Sequence, residues 1–183
     1  EGDSVIYGRW QDLRMAIEYD LEQERQFDYT GLTKKQMVEH LANFISGLWQ
    51  IHPFAEGNTR TIAIFTIKYL RSQGFQVNNE LFELNSWYFR NALVRANYRN
   101  LEKGINYEPE YLNRFFANLL LGEKWDLRNR YLHIHPTEEW KVQPNLATPE
   151  QVPHKYPTST PQVPHKLYTD NLNIQKLVQI VGK

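Results

Sequence analysis

A short run of the sequence, residues 51–60, concentrates side chains that could act on a phosphate group. It contains a histidine, a carboxylate, a glycine, an amide and a guanidinium: His52, Glu56, Gly57, Asn58 and Arg60. Histidine has a pKa suited to proton transfer near neutral pH. A carboxylate can hold Mg²⁺ together with substrate phosphates, and an arginine fork binds phosphate oxygens. The run therefore predicts metal-assisted chemistry at a nucleotide phosphate, with histidine as the base.

Two apolar helical patterns flank this run and must position it. The pattern before it ends with Leu48, Trp49 and Ile51, and the pattern after it extends from about Thr59 to Gln73 and stops at Gly74. We expect Gly57 to make a sharp turn and Asn58 to cap the second helix. The unpaired amides and positive dipole end of that helix would then attract phosphate oxygens.

The remaining periodicity also predicts helices. An amphipathic stretch covers residues 10–25, and Thr33-Lys-Lys-Gln36 is a capping box that opens the helix before the run. Further helices are predicted at about 79–98 and 108–121. The helix after the run is apolar nearly all round, which predicts burial at the centre of the domain. The fold class predicted from these patterns is all-α.

The nine residues from His52 to Arg60 resemble the signature of the Fic (Fic/Doc) family, H-P-F-x-[D/E]-G-N-x-R. The resemblance covers roughly residues 1–135, and residues 87–98 resemble a later helix of one bacterial subgroup. It implies a Fic domain over 1–135, built as a helical bundle with a small β-hairpin flap. The β-prone segment Asp3–Tyr7 would be one strand of that flap.

The resemblance also implies an activity and a set of site residues. Family members typically move AMP from ATP to a Ser, Thr or Tyr hydroxyl of a target protein or of the enzyme itself. His52 would deprotonate the hydroxyl, and Glu56 would bind Mg²⁺ (or Mn²⁺). The remaining implied roles fall on the phosphate cradle (Gly57, Asn58, Thr59 and Arg60), on nucleotide contacts from the later helix (Tyr88 and Asn91) and on a buried loop anchor (Phe54).

Two departures from the family pattern leave alternatives open. The longer motif has glycine at the position of Thr59 and a second arginine at the position of Ala63. That arginine binds the γ-phosphate and pairs with an inhibitory glutamate, whose motif [S/T]-x-x-x-E-[G/N] is not complete in residues 1–183. Autoinhibition is therefore an open question, with Arg95 and Arg99 as candidate substitutes for the arginine. A Doc-like phosphotransferase and a non-enzymatic nucleotide-binding regulator are the alternative functions.

Composition is typical of a compact domain in a reducing compartment. The chain has 183 residues, 41% of them hydrophobic, and it contains no cysteine. Disulfides and cysteine nucleophiles are excluded. No apolar run is long enough to span a membrane, and no P-loop or Rossmann motif occurs. The formal net charge is zero, so there is no general attraction to nucleic acid or to a membrane. These features predict a cytoplasmic protein, and the resemblance of residues 87–98 to a bacterial subgroup implies a bacterial one.

The composition changes after His135. Residues 136–170 are rich in proline and carry an imperfect repeat, Gln151–Lys155 and Gln162–Lys166, which predicts an extended linker. Residues 171–183 predict one amphipathic helix. The resemblance to Fic proteins implies that this helix is the start of a truncated winged-helix domain through which DNA could be bound. The alternative is that this helix docks on the core or on another subunit of a homo-oligomer.

Overall fold

The computed structural model describes residues 5–134, so the predicted linker and C-terminal helix lie outside the described residues. The all-α prediction is confirmed. Six α-helices follow in order: α1 (Leu13–Gln26), α2 (Lys34–Ile51), α3 (Asn58–Ser72), α4 (Glu80–Leu84), α5 (Ser86–Asn97) and α6 (Glu110–Leu121). A 3-10 helix, Asn129–Leu132, comes last. None of the helices in residues 5–134 is both long and apolar enough to cross a bilayer.

Helix α2 is the centre of the bundle and packs against α1, α3, α5 and α6. The predicted capping box starts it: Thr33 accepts a hydrogen bond from the Gln36 amide, and the Gln36 side chain accepts one from the Thr33 amide. Its apolar positions, among them Leu41, Ile45 and Trp49, are buried. Because neighbours cover α2 on several sides, its C-terminal end is fixed relative to the whole domain.

Helix α3 ends as predicted but is less buried than predicted. Gly74 has φ +90°, its amide donates to Arg71 O, and the Phe75 amide donates to Leu70 O, which is the Schellman arrangement. The prediction that α3 is enclosed nearly all round is wrong, because Ile64 is 51% exposed. The helix therefore packs on α2 with one face and presents the other to solvent.

The single helix predicted at about 79–98 is in fact two helices. The chain leaves helical geometry at Asn85, which has φ −125° and ψ 31°. The Asn85 side chain donates to Leu81 O at 3.0 Å, so it competes with the backbone for a helical acceptor. Helix α5 therefore starts in a new direction, which the apolar periodicity alone does not reveal.

The segment at residues 5–8, which we call the N-terminal segment, lies against the end of α2. The Gly8 amide donates to Gln50 O at 3.3 Å, and Gln50 Nε2 donates to Ile6 O at 3.0 Å. A Cβ on Gly8 would lie 2.9 Å from Ile51 O, so only glycine fits this close approach. Residues 5–7 do not form a strand, and residues 1–4 lie outside the described residues. The predicted flap strand is therefore not present in its described part, because these backbone groups bond to a helix end.

A buried carboxylate joins the first three helices. Glu24 of α1 accepts hydrogen bonds from the hydroxyls of Tyr29 and Tyr69, and its second oxygen lies 2.7 Å from His40 Nε2. Tyr69 belongs to α3 and His40 to α2, and the His40 ring stacks on Phe27 at 3.4 Å. Burial and the bonds to Glu24 raise the pKa of both tyrosines, so the hydroxyls stay protonated donors.

We expect Glu24→Leu to destabilise the fold by about 3 kcal/mol, because it leaves buried tyrosine hydroxyls without an acceptor. Denaturant unfolding would measure the loss. Glu22→Leu, which removes an exposed carboxylate from the same helix, should change stability by no more than about 0.5 kcal/mol. Adding Tyr69→Phe to Glu24→Leu should recover part of the loss. Equal destabilisation by the Glu22 and Glu24 variants would contradict a structural role for this network.

Candidate active site

His52 is the C-cap of α2 and has an unusual backbone conformation. Its φ and ψ are both 55°, in the left-handed region, and it is the one non-glycine residue among 5–134 with positive φ. Histidine adopts this region more often than most residues, but the conformation persists only where the surroundings hold it. The left-handed turn ends the helix and directs the chain into the loop 52–57.

Aromatic rings hold the His52 imidazole. The Tyr7 ring packs on it with centroids 4.0 Å apart and an interplanar angle of 36°. The Trp49 ring meets it edge-on at 5.7 Å. The Nδ1 atom is buried and makes no hydrogen bond within the described part of the chain. Ring contacts rather than a hydrogen bond at Nδ1 therefore orient this imidazole.

The surroundings of His52 favour the neutral ring. Burial lowers the pKa of His52, and the positive charge of Arg90 on α5 lowers it further. The Trp49 carbonyl acts in the opposite direction, although Nδ1 is not within hydrogen-bonding geometry of it. A pKa below the ordinary value of about 6.5 leaves the imidazole unprotonated at neutral pH. It can then accept a proton, as a general base must.

Three hydrogen bonds made by side chains close the loop onto the start of α3. Asn58 accepts from the Phe54 amide at 3.0 Å and donates to Phe54 O at 2.6 Å. Trp49 Nε1 donates to Thr59 Oγ1 at 3.1 Å. The predicted N-cap is wrong: Gly57, not Asn58, is the N-cap, and the buried Asn58 side chain is a clamp within the loop. Both of its polar atoms bond to Phe54, so the Asn58 side chain holds the loop closed, and its place in the phosphate cradle stays a prediction.

The first turn of α3 offers backbone donors. Gly57 has φ +80°, a conformation that favours glycine, and no side chain caps the helix. The first helical bond runs from the Thr61 amide to Gly57 O at 2.9 Å. The amides of residues 58–60 precede that bond and belong to the uncapped helix end. Together with the helix dipole, they form a site suited to an anion.

Two opposite charges border that helix end. Glu56 and Arg60 are both exposed, and neither makes an ion pair or a hydrogen bond among residues 5–134. Arg60 folds back over the turn, so its Nη2 is 3.6 Å from where a Cβ on Gly57 would lie. Both charges are therefore accessible to a ligand bound at the start of α3.

The donor set suits a Mg²⁺ ion that arrives with phosphates. No group of three or more His, Cys, Asp or Glu side chains occurs in the described residues, so the protein part alone does not build a cation cage. A single accessible carboxylate, that of Glu56, matches the usual pattern for Mg²⁺, which takes one or two carboxylates with substrate phosphates and water.

Phe54 packs between the loop and the helices but is not the buried anchor that was predicted. Its side chain is half-buried and lines a small cavity of about 60 Å³ together with Ile17, Leu48 and Phe65. The loop therefore rests on the apolar surface formed by α1, α2 and α3, and Phe54 contributes only part of that contact.

The residues expected from the later helix have other roles. Tyr88 is 1% exposed and donates from its hydroxyl to Tyr111 O at 3.1 Å, so it packs in the core, and its contact with nucleotide stays a prediction. Asn91 donates to Asn129 Oδ1 at 2.9 Å and thus joins α5 to the 3-10 helix. The α5 residue whose charge reaches His52 is Arg90, which lies over the Trp87 ring at 5.9 Å.

The position of the missing second arginine lies against the core. Ala63 is half-buried and packs on the hydrophobic cluster. Of the two candidate substitutes, Arg99 lies over the Tyr107 ring at 5.6 Å, and Arg95 has buried Nε and Nη1 atoms without hydrogen bonds in the described part of the chain. Neither arginine has a charge that shifts the pKa of His52, as the charge of Arg90 does.

Sequence reasoning gave no role at His52 to Tyr7, Trp49 or Arg90, although the resemblance implied that the Asp3–Tyr7 segment lies beside the site. The spacing of Trp49, three residues before His52 on a helix, is a usable signal, because such residues lie on the same side. Tyr7 comes from a segment 45 positions away, and Arg90 from a different helix. No local pattern reveals those two contacts.

Residues 3–70 match the model of the Fic/DOC family. The match includes the whole of the loop and the first turn of α3, whereas Tyr88, Arg90 and Asn91 lie beyond its end. No curated protein and no solved structure matches the chain at a significant level.

We expect Asn58→Asp to loosen the loop, because a carboxylate oxygen would replace the donor that faces Phe54 O. The free energy of unfolding should fall by about 1–3 kcal/mol, measured by thermal or chemical denaturation. Asn78→Asp is the matched control, since Asn78 acts only as an acceptor, for the Glu80 amide, and aspartate keeps that bond. If both variants have the same stability, the Asn58 side chain is not the clamp described above.

Proposed function

We propose that this chain, whose residues 3–70 belong to the Fic/DOC family, is a protein AMP-transferase. The family supports a Fic-type enzyme of the transferase kind in general. The finer assignment is that AMP passes from ATP to a Ser, Thr or Tyr hydroxyl on a target protein or on the chain itself.

One observation carries the proposal. A single loop brings together an imidazole whose pKa is lowered by burial, an accessible carboxylate and an uncapped helix start, and internal hydrogen bonds hold that loop closed. The helix start and Arg60 suit a phosphate, and His52 suits the removal of a proton. A non-enzymatic nucleotide-binding protein would need the phosphate-binding groups but not a side chain that removes a proton.

The proposed reaction has one proton transfer and one displacement. His52 accepts the proton of the acceptor hydroxyl, and the hydroxyl oxygen forms a bond to the α-phosphorus of ATP. The bond between the α-phosphorus and the bridging oxygen breaks, so pyrophosphate leaves and AMP stays on the acceptor. Backbone amides of α3 and the Arg60 guanidinium hold the phosphates in place during this exchange.

Glu56 would hold the Mg²⁺ that accompanies ATP, and that ion would supply neutralisation of the phosphate charges. The Glu56 side chain fits this role because it is exposed and unpaired within the described residues. Its negative charge would otherwise repel the phosphates that Arg60 and the helix end attract.

Transfer of label from ATP tests the proposal. With Mg²⁺ and cell lysate, ATP labelled at the α-phosphate should give more labelled protein than the same lysate with the His52→Ala variant does. ATP labelled at the γ-phosphate should give no such excess, because kinases of the lysate label both samples equally. His52→Ala should slow transfer by ~10²–10⁴-fold, because the positioned base is lost. ATP binding, followed by calorimetry, should stay nearly unchanged, since the cradle is intact.

His133→Ala is the control, because His133 is exposed and lies near the end of the described residues. Label from the γ-phosphate would favour a phosphotransferase of the Doc type instead. Protein that binds ATP but transfers neither label to itself nor to any lysate protein would favour a nucleotide-binding regulator.

The pKa of His52 predicts how the rate depends on pH. Because burial and Arg90 lower that pKa, the acid limb of the profile of kcat/KM should lie below about pH 6.5, and the rate should fall as pH drops through it. Arg90→Gln removes one of the two causes and should move the limb to higher pH. Arg99→Gln, in which the changed residue lies over Tyr107, should leave the limb in place. A shift to lower pH in Arg90→Gln would contradict this account.

A further inference from the structure

The Tyr7 ring covers one face of His52, the proposed base, although Tyr7 lies outside the signature motif. Its ring centroid is 4.0 Å from that of His52 and 5.8 Å from that of Trp49, so the three rings form one cluster. Tyr7 is nevertheless 41% exposed, whereas Trp49 is buried. Burial of its own surface therefore does not explain why the Tyr7 ring takes this position.

The imidazole needs an orienting partner. Catalytic histidines are usually oriented by a hydrogen bond at the ring nitrogen that does not react. At His52 that bond is absent within residues 5–134, since the buried Nδ1 has no partner. The backbone does not supply rigidity by itself, because the left-handed conformation at His52 must be held by its surroundings. Ring packing from Tyr7 and Trp49 is the remaining constraint on rotation of the imidazole.

The N-terminal segment is built to keep the Tyr7 ring there. Gly8 follows Tyr7 directly, and its close approach to Ile51 leaves no room for a side chain. Gln50 bonds to the segment on both sides of Tyr7, through Ile6 O and the Gly8 amide. Ile51 and Gln50 immediately precede His52, so the contacts that fix Tyr7 and the residue it covers belong to the same helix end.

We propose that Tyr7 is a positioning residue that orients the His52 imidazole for proton transfer by stacking on it. The inference rests on the proposed function for the role of His52, but the stacking itself does not depend on it. The contact with His52 is made by the planar ring of Tyr7. Phenylalanine should therefore replace it, whereas leucine, which covers the imidazole without a flat face, should not.

Kinetics of three variants separate these contributions. In the transfer assay, Tyr7→Leu should lower kcat roughly tenfold and leave KM for ATP within about twofold, because the base is misoriented while the cradle is untouched. Tyr7→Phe should retain the kcat of the wild type. Trp10→Leu is the matched control, since Trp10 is a 72% exposed aromatic residue near the same segment, and it should change neither constant.

A spectroscopic measurement tests the stack without any activity. In the NMR spectrum of the whole chain, the ring current of Tyr7 should displace the carbon-bound protons of His52, which are identified by their loss in His52→Gln. The part of the displacement due to Tyr7 should persist in Tyr7→Phe and be lost in Tyr7→Leu, whereas the part due to Trp49 should remain in both. A melting curve for each variant would verify that it is folded.

The outcomes distinguish this inference from the proposed function. If the wild type transfers AMP but lacks the ring-current displacement, or if Tyr7→Leu keeps the wild-type kcat, the positioning role is overturned and the function stands. If Tyr7→Phe loses activity as Tyr7→Leu does, the hydroxyl is what matters and the stacking account is overturned. If no variant transfers AMP, the proposed function fails, while the ring currents still decide whether Tyr7 fixes the imidazole.

Discussion

The geometry of the candidate site depends on the side chain of Trp49. This one residue contacts the His52 ring with its edge and donates from Nε1 to Thr59 across the loop. It is buried in α2, the helix that packs on four others, so its position is set by the whole bundle. Removing it would release both the base and the first turn of α3 at once.

The same contact accounts for one departure from the longer family motif. Where that motif has glycine, this chain has Thr59, whose hydroxyl accepts the Trp49 hydrogen bond at 3.1 Å. A buried indole N–H requires such a partner, and glycine could not provide one from a side chain. The threonine is therefore a structural adaptation to Trp49, and its backbone amide is still part of the uncapped helix start.

The polar groups of the loop fall into two sets. Asn58 and Thr59 have their side chains engaged within the protein, where they close the loop. Glu56 and Arg60 point to solvent and make no ion pair among the described residues. Groups fixed in advance do not have to reorganise when a ligand binds, which is the physical basis of electrostatic preorganisation. The loop thus keeps its shape by itself and leaves its charges for the ligand.

Local signals in the sequence were sufficient for some of this structure and not for the rest. The capping box at Thr33 and the helix end at Gly74 were predictable because each is formed by residues close in sequence. The order of residues in 52–60 identified the loop for the same reason. Asn58 was misassigned as the N-cap because asparagine is common both at N-caps and in loops that its side chain closes. The burial of Tyr88 against α6 was not predicted, because it is a tertiary property that no local pattern contains.

Helices α2 and α3 are joined at both ends. At one end Trp49 binds Thr59, and at the other Glu24 binds His40 of α2 and Tyr69 of α3. These two attachments fix the angle between the helices and therefore the separation of the base from the phosphate-binding turn. The N-terminal segment is attached to the C-terminal end of α2 by two hydrogen bonds, one close glycine contact and the Tyr7 ring contacts, and its Val5 side chain is buried in the core. The His52 ring is therefore held by α2 and by the N-terminal segment, while the phosphate-binding turn is held by α2 through Thr59.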